Sequence, residues 1–422
     1  MSEHNPQPRV LLLTTASSYR LPAFLEAAER LAIAALVAED TPAALARETA
    51  SRLGLDFAAE ERAIARIVAL AQAAPLAAVI AVDDSGSLLA ARASAALGLP
   101  HNTPGSAEAA RDKHLMRRLF AADGVPSPAF RLCSTGEDLA ALGATQRYPC
   151  VVKPLRLNGS RGVIRADTPE QFVAAAQRLA RLLDRVEGRP GPHQFLVEDF
   201  IPGCEVALEG LIDRGKLQVL ALFDKPDPLD GPFFEETIYV TPSRLPADTQ
   251  AAIAAVAARA AAAVGLVRGP LHAELRVSPS GPVMVELAGR TIGGLCSRTL
   301  RFGTDAPLEE LILRQATGLP VSGLRRTGQA GGVMMIPIPG AGILREVRGL
   351  AAARAVPGIE DVTITAPRNY PLVPLPEGDA YLGFIFARGE RPEQVEAALR
   401  VAHAHLAFDV LPAIPLVGSS SG

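Results

Sequence analysis

Residues 271–290 read LHAELRVSPSGPVMVELAGR, two runs in which apolar and polar residues alternate, separated by Pro279-Ser280-Gly281. Alternation with period two is the mark of a half-buried strand, so the stretch reads as a hairpin with strands Leu271–Val277 and Val283–Ala288. Pro279-Ser280-Gly281 is read as a three-residue loop, with glycine where φ must be positive. Ser278 then faces Pro282, and counting back sets Glu274 opposite Glu286. Proline donates no ladder hydrogen bond, so the Ser278–Pro282 pair is of the closer, non-hydrogen-bonded type, and Glu274–Glu286 inherits that type. Directly opposed side chains have Cβ atoms about 4.5–5.5 Å apart, where like charges repel. The alternation puts His272, Glu274 and Arg276 on one face with Glu286, Ala288 and Arg290, and turns Val283, Val285 and Leu287 into the core. Two opposed carboxylates beside an arginine suit a divalent cation held through carboxylates and phosphate oxygens. A solvated face on which Arg276 and Arg290 pair with the glutamates fits the same pattern.

Upstream, Val10–Thr15, Ala34–Ala38 and Ala78–Val82 are apolar strand-like runs, and Leu21–Leu31, Thr41–Leu53 and Ser87–Leu97 read as intervening helices. This is the βαβ pattern of a parallel sheet with helices on its faces. No GxGxxG follows the first strand, which disfavours a dinucleotide site. Asp83-Asp84 stands at a strand's carboxyl end, where open α/β sheets bind ligands, although a helix-capping acidic pair is the preferred reading. One helix is expected over Ala107–Ala121. An α+β region follows, with strands at Cys150–Leu155, Val163–Ala166, Phe195–Ile201, Glu205–Ile212, Leu217–Phe223 and Ile238–Thr241, and helices at Glu170–Val186 and Ala247–Val264. After a Gly/Arg-rich linker at Val321–Ala330 comes a smaller α/β unit ending in the helix Pro392–Leu406. Gly418–Gly422 reads as a flexible tail.

Two further segments carry candidate chemistry. Cys150-Val151-Val152-Lys153-Pro154 is a strand with a lysine near its end, followed by the small-residue loop Asn158-Gly159-Ser160-Arg161-Gly162. Such a loop can turn backbone N–H groups toward phosphate oxygens while the lysine neutralises them; it lacks Walker spacing and is not a P-loop. Glu198-Asp199-Phe200-Ile201 leads through Pro202-Gly203 to Glu205, so that a backbone edge can read a purine while Glu205 accepts ribose hydroxyls. Taken singly, the first is a weak signal that an ordinary glycine hairpin turn also explains, and for the second an acidic turn between strands is the better explanation.

Composition excludes several classes. The chain has 422 residues with 45 acidic against 42 basic side chains, a net charge of −3 that supplies no broad positive surface for nucleic acid. At 49% hydrophobic and 21% charged it is a folded chain rather than a disordered one. No apolar run reaches the length of a membrane span, and no signal-peptide core follows the polar start. Cys133, Cys150, Cys204 and Cys296 form no CxxC pair and are expected as buried reduced thiols in a cytoplasmic protein. Only four of the basic residues are lysines: Lys113, Lys153, Lys216 and Lys225. In a chain that otherwise uses arginine, a retained compact point charge marks a position of interest.

The order Lys113, Lys153 with its loop, Glu198–Glu205, Glu274, then Glu286 with Arg290 resembles the ATP-grasp superfamily, in particular its carboxylate–amine ligases of the L-amino-acid ligase type. The resemblance implies a pre-ATP-grasp α/β domain over residues 1–106, an ATP-grasp domain over 107–320 with a lid subdomain at about 125–195, and a C-terminal α/β domain over 328–415. It implies ATP and Mg2+ (one or two ions, with Mn2+ as substitute), small-molecule carboxylate and amine substrates such as amino acids, and a homodimer; charge balance and the lack of a long apolar run already argue against nucleic acid or membrane partners. By similarity Lys113 and Lys153 contact phosphates under the Ser160–Gly162 loop, Glu198 with the backbone of Phe200 and Ile201 holds adenine, and Glu205 takes the ribose. Lys225 lies by the nucleotide or substrate, whereas Lys216 is solvated. Glu274 and Glu286 bind the metal, and Arg290 the transferred phosphoryl. Residues 234–242, FEETIYVTP, resemble the ligase pattern F-x-E-x-x-H-x-x-P, which assigns Glu236 to the substrate amine. Tyr239 replaces the histidine of that pattern, and Ala288 the asparagine of E-x-N-x-R, removing one oxygen ligand. Ile292-Gly293-Gly294-Leu295 resembles the family's glycine turn around the substrate carboxylate, and Arg298 and Arg301 are candidates for a second carboxylate. The expected reaction makes an acyl phosphate and then an amide. A carboxylase-type ATP-grasp chemistry, or an ATP-binding module without turnover, are the alternatives.

Overall fold

The computed structural model describes residues 7–16, 18–42 and 48–412. The Gly418–Gly422 tail and part of the helix expected over Thr41–Leu53 lie outside them; Arg52 and Leu53 belong to a strand, Arg52–Leu55. The chain forms two units. One comprises residues up to 128, 206–223 and 245–328; the other comprises 129–205, 224–244 and the residues from 329 onward. Among the described residues, no helix is long and apolar enough to cross a membrane.

The first unit begins with a four-stranded parallel sheet in the order Arg52–Leu55, Ala34–Asp40, Arg9–Thr14, Ala78–Ala81. Val10 to Thr14 are all buried, as a central parallel strand covered on both faces requires. Helix Leu21–Arg30 buries Leu21, Phe24, Ala27 and Ala28. A further helix, Glu60–Ala73, lies in a stretch the sequence pattern left unassigned and buries Ala63 and Ile67.

The helix expected over Ala107–Ala121 is two helices, Pro104–Ala109 and Lys113–Ala122. Asp112 explains the break: its carboxylate accepts the Leu115 N–H at 3.0 Å as an N-cap, which makes Lys113 the first helical residue. Met116 and Phe120 are buried, and the lysine is carried inward with them.

The unit's other strands lie in the order Gly281–Ala288, Arg268–Ser278, Cys204–Asp213, Lys216–Lys225, the last two contributing their residues between 206 and 223. Helix Ala247–Ala263 buries Ile253, Ala257 and Ala260 in the same core as Leu271, Leu275 and Leu287. The hairpin register departs from the sequence reading twice. Ser278 pairs with Gly281 rather than Pro282, so the turn holds only Pro279 and Ser280. A bulge beside Glu274 then leaves Val285 as an extra residue and restores Glu274 opposite Glu286. The buried Arg117 guanidinium donates to the Val285 carbonyl, satisfying the residue that the ladder skips. The bulge also reverses the alternation before it: Met284 is fully buried, and Val283 and Val285 are only half-buried.

The second unit holds an antiparallel sheet in the order Phe130–Ser134, Gln194–Asp199, Cys150–Pro154, Ile164–Ala166. Helix Pro169–Glu187 covers it with Phe172, Ala176, Leu179 and Leu183, starting at the Thr168 cap and ending on Gly188 in the left-handed region. Another antiparallel set, Ile238–Thr241, Ala330–Ile336, Gly383–Gly389, Ile359–Ile364, packs against helix Pro392–Ala404. Gly332 permits that packing, since a Cβ there would stand 2.6 Å from Val395 and 3.0 Å from the Tyr239 carbonyl.

Cys133, Cys150 and Cys296 are buried as expected, but Cys204 is exposed, because it opens its strand at the Pro202-Gly203 turn. Burial pushes the Cys133 thiol up to about 11 and the Cys150 thiol up to about 12. Titration with a thiol-specific disulfide at pH 8 is expected to label one cysteine, Cys204, in the folded protein and four after denaturation; rapid labelling of Cys150 would contradict the burial. The bulge gives a second expectation. Met284→Ala leaves a cavity worth about 2–5 kcal/mol, whereas Val283→Ala costs well under that. Denaturation midpoints of the two variants check this, and strict alternation gives the opposite ranking.

Candidate functional site

In the first unit, the short approach from Lys113 to the hairpin builds a charge cluster. The Lys113 ammonium is 3.2 Å from Glu286, and Glu286 is paired in register with Glu274. Glu274 in turn lies 3.3 Å from Nε2 of His272, whose Nδ1 is bound by Glu209. His272 and Glu209 are both buried. Burial works against charge on the imidazole, but the Glu209 charge and hydrogen bond, aided by Glu274, raise its pKa to about 9. Two carboxylates paired in register are therefore flanked by Lys113 and His272, which offset their repulsion. Their oxygens are the donor type that a hard cation such as Mg2+ takes, and the pair fits one.

Glu209 was not singled out from the sequence, and His272 received a face but no role. The available signal was a charged residue within the apolar run Val206-Ala207-Leu208-Glu209-Gly210-Leu211-Ile212. Such a group stays buried only if fully partnered. Its second oxygen accepts the Ile292 N–H at 3.1 Å, so one carboxylate fixes the His272 strand and the start of the glycine turn together.

Arg290 follows the hairpin. It donates to the Thr291 carbonyl at 2.8 Å, and its Nε is 3.8 Å from Asp84, which also accepts from Arg111 at 3.2 Å. Asp83 and Asp84 do not cap the helix Ser87–Ala96 with their side chains. Asp83 instead accepts from the Thr14 hydroxyl and the Thr15 N–H, both at 3.0 Å, and from the Ser18 hydroxyl at 2.9 Å. Of the two other arginines singled out, Arg298 lies in the turn Cys296–Thr299 and Arg301 pairs with Asp305 at 3.2 Å.

The second unit holds the remaining candidates in two groups. Lys153 and Glu198, on adjacent strands, form a buried ion pair at 2.5 Å. The Phe200 N–H donates to Pro149 at 3.1 Å, and its ring lies under the Arg165 guanidinium, 4.3 Å from the centroid; Ile201 beside it is half-buried. In the other group Lys225 binds both Glu205, at 2.7 Å, and Glu236, and its ammonium sits 5.0 Å from the ring centroid of the buried Tyr239. The loop carrying Ser160 and Gly162 has left-handed backbone at Gly159, Ser160 and Gly162. In this conformation the Gly162 N–H donates to the Pro376 carbonyl at 2.8 Å and Arg161 to the Glu377 carbonyl at 2.7 Å. Arg178 grips the Glu377 carboxylate at 2.6 and 2.8 Å, which holds that carboxyl below its ordinary pKa.

Comparison with known proteins adds to this geometry. A family profile described as ATP-grasp domain matches residues 146–299, and one described as L-amino acid ligase C-terminal domain 2 matches 334–410. The chain is similar to the D-alanine–D-alanine ligase of Gloeobacter violaceus, 32% identical over 220 residues that cover 48% of this chain and 67% of that protein. With the D-alanine–D-alanine ligase of Aromatoleum aromaticum it shares 32% identity over 181 residues, 42% of this chain and 55% of that protein. The aligned region thus spans about half to two thirds of these relatives. The crystal structure of an L-amino acid ligase from Bacillus licheniformis superposes with a TM-score of 0.79 at 25% identity, covering 96% of this chain and 99% of that one.

Glu209→Gln keeps the shape of the buried link and removes its charge. Breaking a buried pair costs about 3–5 kcal/mol, while neutralising an exposed one costs under about 1 kcal/mol. Thermal unfolding is therefore expected to shift strongly for Glu209→Gln and little for Glu39→Gln, whose partner Arg52 is exposed. Equal shifts would remove Glu209 from this role.

Proposed function

The chain belongs to the ATP-grasp ligases, and from that membership we propose that it converts a carboxylate to an acyl phosphate with ATP and joins it to an amine, releasing ADP and phosphate. The observation that carries this reading is the opposed Glu274–Glu286 pair with Lys113 at 3.2 Å and Arg290 just beyond on the same hairpin. A carboxylate is a poor acylating agent because it must expel an oxide. Attack of its oxygen on the γ-phosphorus breaks the bond to ADP and leaves an acyl phosphate, from which phosphate departs readily. Such a transfer needs positioning and charge neutralisation more than covalent help.

In this proposal Lys113 and Lys153 neutralise the phosphates, Arg290 binds the transferred phosphoryl, and the Ser160–Gly162 loop covers them. Glu198 with the backbone at Phe200 and Ile201 takes adenine, and Glu205 the ribose. Glu274 and Glu286 hold Mg2+, which when bound withdraws charge from the phosphate oxygens. The amine must be neutral to attack the acyl carbon, and its surplus proton passes to Glu236. Glu205, Glu236 and Lys225 together carry one net negative charge, so the cluster accepts one proton without becoming cationic. Amino acids are the proposed acid and amine, on the strength of what the relatives' names say those proteins join.

Ala288 supports a second reading, an ATP-binding module without turnover, because a buried alanine offers no oxygen to a second ion. A phosphate-release screen over amino-acid pairs with Mg2+ and ATP separates the two. Turnover with at least one pair is expected, abolished by chelation and reduced about 100-fold or more by Glu286→Gln or Arg290→Ala. Undiminished release in both variants would defeat the site assignment, and nucleotide binding without release across the panel would favour the module.

A further inference from the structure

In the first unit the switch point of the parallel sheet lies between Arg9–Thr14 and Ala78–Ala81, the position at which open α/β sheets bind ligands. Asp83 ties the loops leaving these two strands together, and Arg20 ends the first loop as the residue before helix Leu21–Arg30. Arg20 is 9% exposed, and its Nε is buried with no hydrogen-bond partner among the described residues. The acids whose charges reach it are engaged elsewhere. Asp83 serves Thr14, Thr15 and Ser18, and Glu309 accepts the Ser297 hydroxyl at 2.8 Å. A second guanidinium, that of Arg290, whose Nε is 3.8 Å from Asp84 beside Asp83, carries a charge that opposes it. Burial first, and then this repulsion, pull Arg20 below the ordinary arginine range, although Asp83, Glu309 and Tyr19 act the other way.

A buried cation beside another cation, with an unmet donor, is costly unless an anion completes it. We infer that Arg20 is a substrate-binding residue which, with Arg290, forms an anion subsite at the sheet's switch point for a carboxylate of the acid substrate. The inference rests on the ligase reading above and adds the group that orients the acid. The guanidinium fork matches a carboxylate in a way that a lysine ammonium does not. The carboxylate on Arg20 is either the one that reacts or a second one on a dicarboxylic acid, and the probes distinguish these.

The test is calorimetric titration of the full chain, with Mg2+ and a non-hydrolysable ATP analogue present, using succinate, L-glutamate, propionate and L-alanine. Wild type, Arg20→Gln and Arg20→Lys are compared, and affinity for the analogue is measured separately. At least one carboxylate is expected to bind wild type, about tenfold or more weakly to Arg20→Gln and about threefold or more weakly to Arg20→Lys, with nucleotide affinity within about twofold throughout. Binding confined to succinate and L-glutamate identifies the second carboxylate; equal sensitivity of propionate and L-alanine identifies the reacting one. Unchanged affinity in the variants, or no carboxylate binding to a wild type that binds nucleotide, overturns the subsite. Should Arg20→Gln fail to fold, Arg20→Lys decides alone. Carboxylate binding lost with Arg20 in a protein that does not bind the nucleotide analogue would leave the subsite standing and defeat the ligase reading.

Discussion

Two carboxylates held face to face across a hairpin are the constraint on which the first unit's chemistry rests. Glu274 and Glu286 repel one another, and nothing in strand propensity favours the pairing. It persists because the surroundings over-determine it. The bulge at Val285 sets the register, Arg117 captures the carbonyl that the bulge releases, and Lys113 and a charged His272 stand against the outer sides of the two acids. Glu209 keeps that histidine charged and through Ile292 ties the arrangement to the glycine turn.

The second unit applies the same logic with lysines. Lys153 and Lys225 are buried and each is bound to carboxylate, while Lys216, which belongs to the first unit and stands at the start of its strand, is exposed. Buried ion pairs add little net stability over an apolar packing, so their retention points to specificity of arrangement. Three of the chain's four lysines occupy such positions. An ammonium is a compact charge with rotatable donors and exchanges one oxygen partner for another more readily than a guanidinium fork does.

Much of this was legible in the sequence because the opposing acids, the scarce lysines and the parallel-sheet pattern are carried by residue type and period. The Glu274–Glu286 opposition followed from two departures that cancel: a turn one residue shorter than expected, and a bulge one residue long. Period two carries no information about a bulge, which is why Met284 and not Val283 fills the core. The break before Lys113 was hidden because Arg111 and Asp112 suit a helix interior by charge pattern, and only the cap geometry shows one helix ending at its C-cap Ala110 and Asp112 starting another. Asp83 was misread for a related reason. A short acid after a strand caps a helix or braces a neighbouring loop equally well, and the choice depends on Thr14, Thr15 and Ser18 being brought beside it from far along the chain. Glu209 escaped notice because a single acid in an apolar run shows its meaning only when its partners are known.

The charged residues assigned to ligands fall into two kinds. Lys113, Lys153, Lys225, Glu274 and Glu286 each already hold an internal partner of opposite charge, so a ligand must displace that partner, and the free energy gained is a difference between two good interactions. Arg20 is of the other kind: buried, repelled by Arg290, and with an Nε that bonds to none of the described residues. An anion reaching it displaces no internal carboxylate and relieves an existing penalty. If the proposed nucleotide and metal positions are such exchange sites and Arg20 is an anion subsite, the phosphoryl donor would be held by replacing internal partners and the acceptor by relieving a penalty, a division of labour suited to activating one carboxylate among many.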